Sequence, residues 1–325
     1  MTNAPSEVLT VDDLTVTFTG RTGIHTPVDR LSFTLEAGKT LALVGESGSG
    51  KSLTAAALLG LLPNGAQRTV RTLRLAGRDI AMLSEKEQRR MRGRDLGMVF
   101  QNPLLALNPS QRLGVQMTES YRLYSGVSAR TARERAQELL ATVDIPDAAR
   151  WLESYPHQLS GGMRQRVLLA MAVMHHPKIL IADEPTTALD VLVQAQILTL
   201  IQRLQKATGM ATLFITHNLA LAAEYADTVL VLYVGRRREY APSAQFFQGP
   251  RHPYSRALLD CIPTLGHHPQ ALLEIPGKAP TSGTQGPGCS FAPRCGRATP
   301  ECTLAPPPEI GDSHRYLCLH PLDPP

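Results

Sequence analysis

The sequence has no long hydrophobic run, although 43% of its 325 residues are hydrophobic and can form a core. Its apolar stretches, such as residues 41–44 and 229–234, are far shorter than the roughly 20 residues that a membrane-spanning helix needs. The first residues, MTNAPSEVLTVDD, are polar and acidic and lack the basic and apolar segments of a secretory signal. We therefore expect a globular chain that stays in the cytosol.

Charge of one sign is also not in large excess. The 33 Lys and Arg residues against 28 Asp and Glu residues give a formal net charge of +5. So small an excess of positive charge is typical of a solvated surface and only weakly supports nucleic-acid binding. No internal repeat is visible, and nucleic acid is not an expected partner.

Cysteine is scarce and unevenly placed. Of the five cysteines, four lie between positions 289 and 318. An odd count in a reducing cytosol argues against a disulfide framework and favours a metal or cluster site in this segment.

Short runs rich in Val, Ile and Leu alternate with helical segments over residues 8 to about 240. Such runs are typical of strands buried on both faces, as in a parallel sheet covered by helices; they occupy residues 40–44, 96–100, 179–182, 211–215 and 229–234. Between them, residues 103–176 are largely helical, with Ser128 as a plausible N-cap. After about residue 250, proline becomes frequent and excludes long helices and central strands. The sequence predicts an α/β domain at 1–250, with a helical subdomain at about 103–176, and an extension at 251–325.

Residues 45–52 read GESGSGKS, which matches the phosphate-loop pattern G-x-x-x-x-G-K-[ST] between a predicted strand and a predicted helix. The glycines let consecutive backbone N–H groups surround phosphate oxygens, and the helix N-terminus adds partial positive charge. We expect Lys51 to reach the β- and γ-phosphates and the Ser52 hydroxyl to ligate Mg²⁺. The predicted ATP-binding residues are Gly45, Glu46, Ser47, Gly48, Ser49, Gly50, Lys51 and Ser52.

Two carboxylates follow the apolar residues 179–182, at the end of a predicted buried strand. With a phosphate loop upstream, Asp183 is expected to hold Mg²⁺, directly or through water, and Glu184 to polarise the attacking water.

Residues 159–166 read LSGGMRQR and lie between the phosphate loop and the two carboxylates. A Ser/Gly turn at a helix N-terminus is another phosphate-binding device, although by itself it could be a helix cap. In this order the motifs resemble those of ATP-binding cassette ATPases, which implies the α/β fold of P-loop NTPases. The resemblance also implies that Ser160, Gly161 and Gly162 act on the ATP that a second subunit holds.

The remaining landmarks of that family follow in order. Gln101, in VFQNP, matches the loop glutamine that senses Mg²⁺ and the γ-phosphate, and Asp190, in ALD at 188–190, matches the loop that communicates across the dimer. His217, at the end of LFITH, matches the histidine that contacts the γ-phosphate. Phe18 is the expected partner of the adenine ring, with a core position as its alternative.

The stretches at 99–109, 252–258 (HPYSRAL) and 287–295 (PGCSFAPRC) resemble the ATPase subunits of dipeptide, oligopeptide and nickel importers. Asn218 and Leu192 depart from the usual Asp and Thr of the family. The resemblance implies ATP hydrolysis with Mg²⁺ at the cytoplasmic face of the inner membrane. It also implies four partners: a second cassette subunit, which in this family is usually a paralogue, two membrane permease subunits, and an extracytoplasmic binding protein.

The cargo stays open among dipeptides, oligopeptides, nickel and other metal chelates, because the binding protein and the channel select it. The main alternative is a non-transport cassette ATPase that acts on ribosomes or DNA. Such proteins commonly carry two cassettes or a long coiled-coil insert, and neither is visible. A second alternative is a redox-sensing module centred on the extension.

The clustered cysteines have the spacing C-x5-C-x6-C-x15-C, without the tight pairs that are usual in structural zinc sites. Four thiolates suit Zn²⁺ or an iron–sulfur cluster, and free thiols stay a third reading. The wide spacing resembles the extension of those family members that carry a [4Fe–4S] cluster, which implies ligation by Cys289, Cys295, Cys302 and Cys318. Cys261, in an apolar stretch, is expected in the core.

Overall fold

The structure is a computed structural model that describes residues 7–20, 23–102, 106–187, 189–262, 274–280 and 286–323. The strands, in chain order, are β1 (Glu7–Gly20), β2 (Gly23–Glu36), β3 (Thr40–Val44), β4 (Ala66–Thr69), β5 (Thr72–Leu75), β6 (Arg78–Asp79), β7 (Leu96–Val99), β8 (Ile179–Asp183), β9 (Ala211–Thr216), β10 (Thr228–Tyr233), β11 (Arg236–Pro242), β12 (Glu309–Ile310) and β13 (Arg315–Leu317).

The helices are α1 (Lys51–Leu59), α2 (Glu85–Arg94), α3 (Leu113–Ser125), α4 (Ala129–Thr142), α5 (Ala148–Leu152), α6 (Gly161–Ala172), α7 (Val191–Thr208), α8 (Leu219–Tyr225), α9 (Ser243–Gln248), α10 (Pro253–Asp260) and α11 (Glu301–Leu304). Short 3₁₀ turns occupy Pro156–Gln158 and Ala292–Arg294. None of the helices in the described ranges is long and apolar enough to cross a bilayer.

The chain forms two compact units. The first contains the described residues of Met1–Val8, Leu35–Lys39 and Ala76–Leu213, and the second contains those of Leu9–Thr34, Thr40–Leu75 and Phe214–Pro325. The division does not test the predicted boundary at residue 250, which stays a prediction.

The second unit is built around the strand order β12-β13-β11-β10-β3. β10 runs parallel to β3, with Thr228 opposite Leu41, and antiparallel to β11. All five residues of β3 are buried, which explains why its residues after Thr40 are all apolar rather than alternating. In a smaller sheet of this unit, β1 pairs antiparallel with β4 and β5.

The first unit contains a parallel pair, β7 and β8, with Leu96 opposite Ile179. Between these two strands the described chain is helical, from α3 to α6, as the sequence predicts. Ser128 caps α4 as expected, because its hydroxyl accepts a hydrogen bond from the N–H of Thr131 at 3.1 Å. The buried face of α4 consists of Ala132, Ala136, Leu139 and Leu140, at helical spacing.

Candidate functional site

The predicted phosphate loop, in the second unit, connects the buried strand β3 to the N-terminus of α1. Gly50 is the N-cap and has a φ of 105°, a conformation that L side chains rarely adopt. The Nζ of Lys51 donates hydrogen bonds to the carbonyl oxygens of Gly45 and Glu46, at 2.9 Å each. The buried hydroxyl of Ser49 has no hydrogen-bond partner among the described residues. The loop thus combines a buried hydroxyl that lacks a partner, a cationic side chain and a helix N-terminus. This combination fits the binding of a phosphate group.

Gly45 makes the closest approach in this loop. Its φ is 149°, and a Cβ there would lie 2.1 Å from the carbonyl oxygen of Leu232. We expect Gly45→Ala to lower the free energy of unfolding by about 3 kcal/mol, measured by chemical denaturation. The cost of the unfavourable backbone φ and the cost of the steric overlap with Leu232 should add. Gly48→Ala is the matched control, since its Cβ would meet nothing within 4 Å and only its φ of 77° is unfavourable. An equal loss in both variants would contradict the packing argument.

The described part of the extension contacts the phosphate loop, which sequence reasoning did not foresee. Arg294 forms an ion pair with the side chain of Glu46, with Nη1 2.7 Å from Oε2. The N–H of Glu46 donates to the hydroxyl of Tyr254 at 3.0 Å. No local pattern could reveal these contacts, because more than 200 residues separate the partners.

The two carboxylates lie in the first unit at the end of β8. Asp183 is buried, whereas Glu184 is partly exposed and has a φ of 45°. Gln101 donates from Nε2 to Oε2 of Glu184 at 2.8 Å, and the hydroxyl of Thr187 donates to the same oxygen at 3.0 Å. The structure thus brings together two of the predicted catalytic residues, and Thr187 is a second hydrogen-bond donor to the Glu184 carboxylate. Pro103, in the motif of Gln101, lies outside the described residues.

The predicted signature motif, LSGG at residues 159–162, lies at the N-terminus of α6, also in the first unit. Ser160 is the N-cap, and its hydroxyl accepts from the N–H of Met163 at 3.3 Å, so the helix-cap reading describes its local role. A Cβ on Gly162 would lie 2.9 Å from a methyl group of Val193. Arg166, in α6, forms an ion pair with Asp144, with Nη1 3.1 Å from Oδ2. Hydrogen bonds lower the pKa of Asp144, and the one with Arg203 has a larger effect than the one with Arg166.

The predicted dimer loop leads into α7. Asp190 is the N-cap of α7, because its Oδ1 accepts from the N–H of Val193 at 3.0 Å. Val191 and Leu192 are 79% and 77% exposed, which is unusual for large apolar side chains. Ala188, the first residue of the predicted motif, lies outside the described residues.

His217, in the second unit, follows the buried strand β9 and is exposed. Asn218, which departs from the family pattern, caps α8 by accepting hydrogen bonds from the N–H groups of Ala220 and Leu221. An Asn side chain serves at an N-cap as well as an Asp. The departure therefore leaves the local structure after His217 intact.

Phe18, the predicted partner of adenine, is partly exposed in β1. Its ring centroid lies 6.4 Å from that of His25, and His25 lines a cavity together with residues of the phosphate loop. The sequence reasoning overlooked His25, because one histidine in a strand carries no signal of its own.

The clustered cysteines line one cavity in the second unit, together with His252 and Phe291; the four are Cys289, Cys295, Cys302 and Cys318. All four are free thiols. Burial raises the pKa of Cys295, and it raises that of Cys318 to about 11. The described residues contain no group of three or more His, Cys, Asp or Glu that could hold a metal ion, so the predicted metal site stays a prediction.

Beside this cavity lies a buried positive charge. Arg238 is 1% exposed, donates a hydrogen bond to the Ser290 hydroxyl, and has an Nε–H without a partner among the described residues. Burial lowers its pKa, and the thiols of Cys289 and Cys318 are among the groups that oppose this shift. Cys261, expected in the core, is instead partly exposed just after α10.

Comparison with known proteins identifies the family of this chain. Residues 28–187 match a family described as ABC transporter, and residues 238–302 match the C-terminal region of oligopeptide/dipeptide transporters. The solved ABC transporter cassette MJ0796 superposes with a TM-score of 0.64 over 72% of this chain and 98% of its own, at 24% identity, which supports the fold alone.

Curated relatives match over nearly the full length. The dipeptide transport ATP-binding protein DppD of Escherichia coli is 42% identical over 318 residues, covering 97% of both chains. The oligopeptide transport ATP-binding protein OppD of the same organism is 46% identical over 97% of this chain and 94% of its own. A putative peptide import ATP-binding protein of Brucella abortus is 46% identical over 92% of this chain and 90% of its own. This chain therefore belongs to the ABC transporter ATPases, in the group that includes the dipeptide and oligopeptide transport ATP-binding proteins.

Proposed function

We propose that this chain hydrolyses ATP to power the uptake of di- or oligopeptides through a membrane permease. The observation that carries the proposal is the match over 97% of the chain to relatives named for dipeptide and oligopeptide transport. The match of residues 238–302 to the C-terminal region of such transporters supports it. A cassette acting on ribosomes or DNA receives no support from these matches.

In the first unit, Glu184 is the proposed general base that takes a proton from the attacking water. Gln101 and Thr187 hold its Oε2 in place, and their hydrogen bonds orient the carboxylate. Asp183, buried at the end of β8, and Gln101 are the proposed Mg²⁺ ligands of this unit, and Ser52 is the proposed ligand of the second unit. Mg²⁺ supplies neutralisation of phosphate charge when it is bound with ATP.

In the second unit, the phosphate loop binds the triphosphate through its N–H groups and Lys51. His217 is the proposed contact to the γ-phosphate. Phe18 is the proposed partner of the adenine ring, and His25 adds a second ring beside it. We include His25 because it lines the cavity at the phosphate loop.

The proposed assembly contains a second cassette subunit, two permease subunits and an extracytoplasmic binding protein, with this chain peripheral at the cytoplasmic face of the membrane. Ser160, Gly161 and Gly162 then act on the ATP of the partner cassette. The exposed Val191 and Leu192, next to Asp190, suit burial in such an interface.

The test is ATP hydrolysis by the reconstituted complex with its binding protein. Peptide-loaded binding protein should stimulate turnover, whereas protein loaded with metal chelates should not. If only binding protein loaded with metal chelates stimulates turnover, the cargo is a metal chelate and not a peptide. Co-purification with ribosomes or DNA, without permease subunits, would contradict the transport proposal.

We also propose that the four clustered cysteines hold a [4Fe–4S] cluster. Their common cavity and the buried Arg238 support this, because a cluster with four thiolate ligands adds negative charge beside an otherwise uncompensated guanidinium. A single zinc ion requires all four sulfurs within about 2.3 Å of one point. Thiolates that bind different irons of a larger cluster need not converge in this way.

Anaerobically purified protein should contain about four irons per chain and should be brown. Cys289→Ser should lower the iron content and make the extension more sensitive to protease, because ligand binding contributes to its folding. Cys261→Ser is the matched control and should change neither quantity, because Cys261 is not among the residues lining the cavity. Stoichiometric zinc without iron would contradict the cluster, and absence of both metals would contradict any metal site here.

A further inference from the structure

All five N–H groups of the Arg294 guanidinium have an acceptor. Two of the hydrogen bonds reach the Glu46 carboxylate, from Nη1 at 2.7 Å and from Nη2 at 3.0 Å. Nη1 also donates to the Tyr233 hydroxyl at 3.2 Å. The other two reach backbone carbonyl oxygens, that of Pro276 from Nε at 2.8 Å and that of Ile275 from Nη2 at 3.1 Å. One side chain thus joins the phosphate loop, the end of β10 and the segment 274–280.

These contacts are mostly shielded from water. The side chain of Arg294 is 5% exposed and that of Glu46 is 27% exposed. The guanidinium also lies over the ring of Tyr233, 5.8 Å from its centroid. Paired hydrogen bonds between a guanidinium and a carboxylate are stronger and more directional than a single contact, and shielding strengthens them further.

The segment that Arg294 holds forms part of a cavity at the phosphate loop. Ala279 and Pro280 line this cavity together with Glu46, Ser47 and Ser49. The Glu46 carboxylate thus belongs to the loop that is proposed to bind the triphosphate, and without a partner it would repel the phosphates.

We infer that Arg294 is a positioning residue of the ATP site: it neutralises Glu46 and fixes the segment 274–280 beside the phosphate loop. This inference rests on the proposed role of the loop in binding ATP. It gives the extension a part in nucleotide affinity, although no nucleotide motif lies within it. Because Arg294 directly precedes Cys295, order at the cysteine cavity and order at the loop depend on the same short turn.

The experiment measures binding of a fluorescent ATP analogue to the full-length chain, and KM and kcat of the assembled complex. Arg294→Met should weaken binding roughly tenfold or more, since it removes a charge-assisted pair and leaves a half-buried carboxylate unpaired. The loss should fall on KM rather than kcat, because Arg294 touches no catalytic group. Adding Glu46→Gln to Arg294→Met should raise the affinity at least about threefold above that of Arg294→Met alone, because it removes the unpaired negative charge.

The rescue separates charge neutralisation from simple anchoring, since a misfolded Arg294→Met chain would not be rescued by removing a charge. Arg256→Met is the matched control: it removes another Arg–carboxylate pair of the extension, with Asp260, and should leave affinity unchanged. Lys51→Ala tests the loop itself. Normal ATP binding by Arg294→Met, or the absence of rescue, overturns the inference about Arg294. If Lys51→Ala loses ATP binding in the same assay, the proposed role of the phosphate loop still stands. Normal binding by Lys51→Ala overturns both.

Discussion

Replacing Glu184 by Gln should lower ATP turnover by about 10²- to 10⁴-fold and leave ATP binding intact, because the amide cannot accept the proton of the attacking water. The amide oxygen can still accept the hydrogen bonds that Gln101 and Thr187 donate to Oε2, so the local geometry should persist. With binding intact and hydrolysis blocked, two cassettes should accumulate as a closed dimer with two ATPs. Turnover assays and size-exclusion chromatography with ATP measure the two effects.

Thr187→Val is the matched control, since it removes one hydrogen bond to the same oxygen and keeps the carboxylate. It should lower turnover much less and should not trap a dimer. If Glu184→Gln retains more than about a tenth of the normal turnover, Glu184 is not the general base.

Replacing Gly162 by Asp should abolish ATP-driven closure of the dimer and spare nucleotide binding by the isolated subunit. A carboxylate at the signature would face the phosphates of the ATP held by the other subunit. Closure is measured by size-exclusion chromatography in the Glu184→Gln background, where dimers accumulate.

The structure requires a steric control for this prediction, because any Cβ at Gly162 would meet Val193 at 2.9 Å. Gly162→Ala introduces this crowding without charge and should impair closure only in part. Equal loss in both variants would assign the effect to crowding. Loss of ATP affinity in the isolated Gly162→Asp subunit would contradict action on the partner's ATP.

The sequence predicted the features that depend on local patterns. The phosphate loop lies between a strand and a helix as expected, and Ser128 caps its helix, because a cap or a loop is determined by a few adjacent residues. The parallel pairing of β3 with β10 agrees with their mostly apolar sequences, because strands buried on both faces in a parallel sheet are rich in Val, Ile and Leu.

What the sequence did not predict depends on contacts between distant residues. The pairing of Arg294 with Glu46 spans 248 positions, and neither residue type is distinctive by itself. The exposure of Cys261 was mispredicted because an apolar stretch next to a helix end can lie at a surface. Thr187 could have been found from its position three residues after Glu184, the spacing of a side chain that folds back over a turn.

The small strands of the extension have a further consequence, for solubility. β13 pairs with β11, and the two-residue β12 pairs with β13, so the outermost strand on this side is very short. A short outer strand offers few unpaired N–H and C=O groups to another chain. A chain ending before Glu309 would lose the strand that pairs with Glu239 and Tyr240 of the seven-residue β11, and we expect its longer open edge to promote strand-to-strand aggregation.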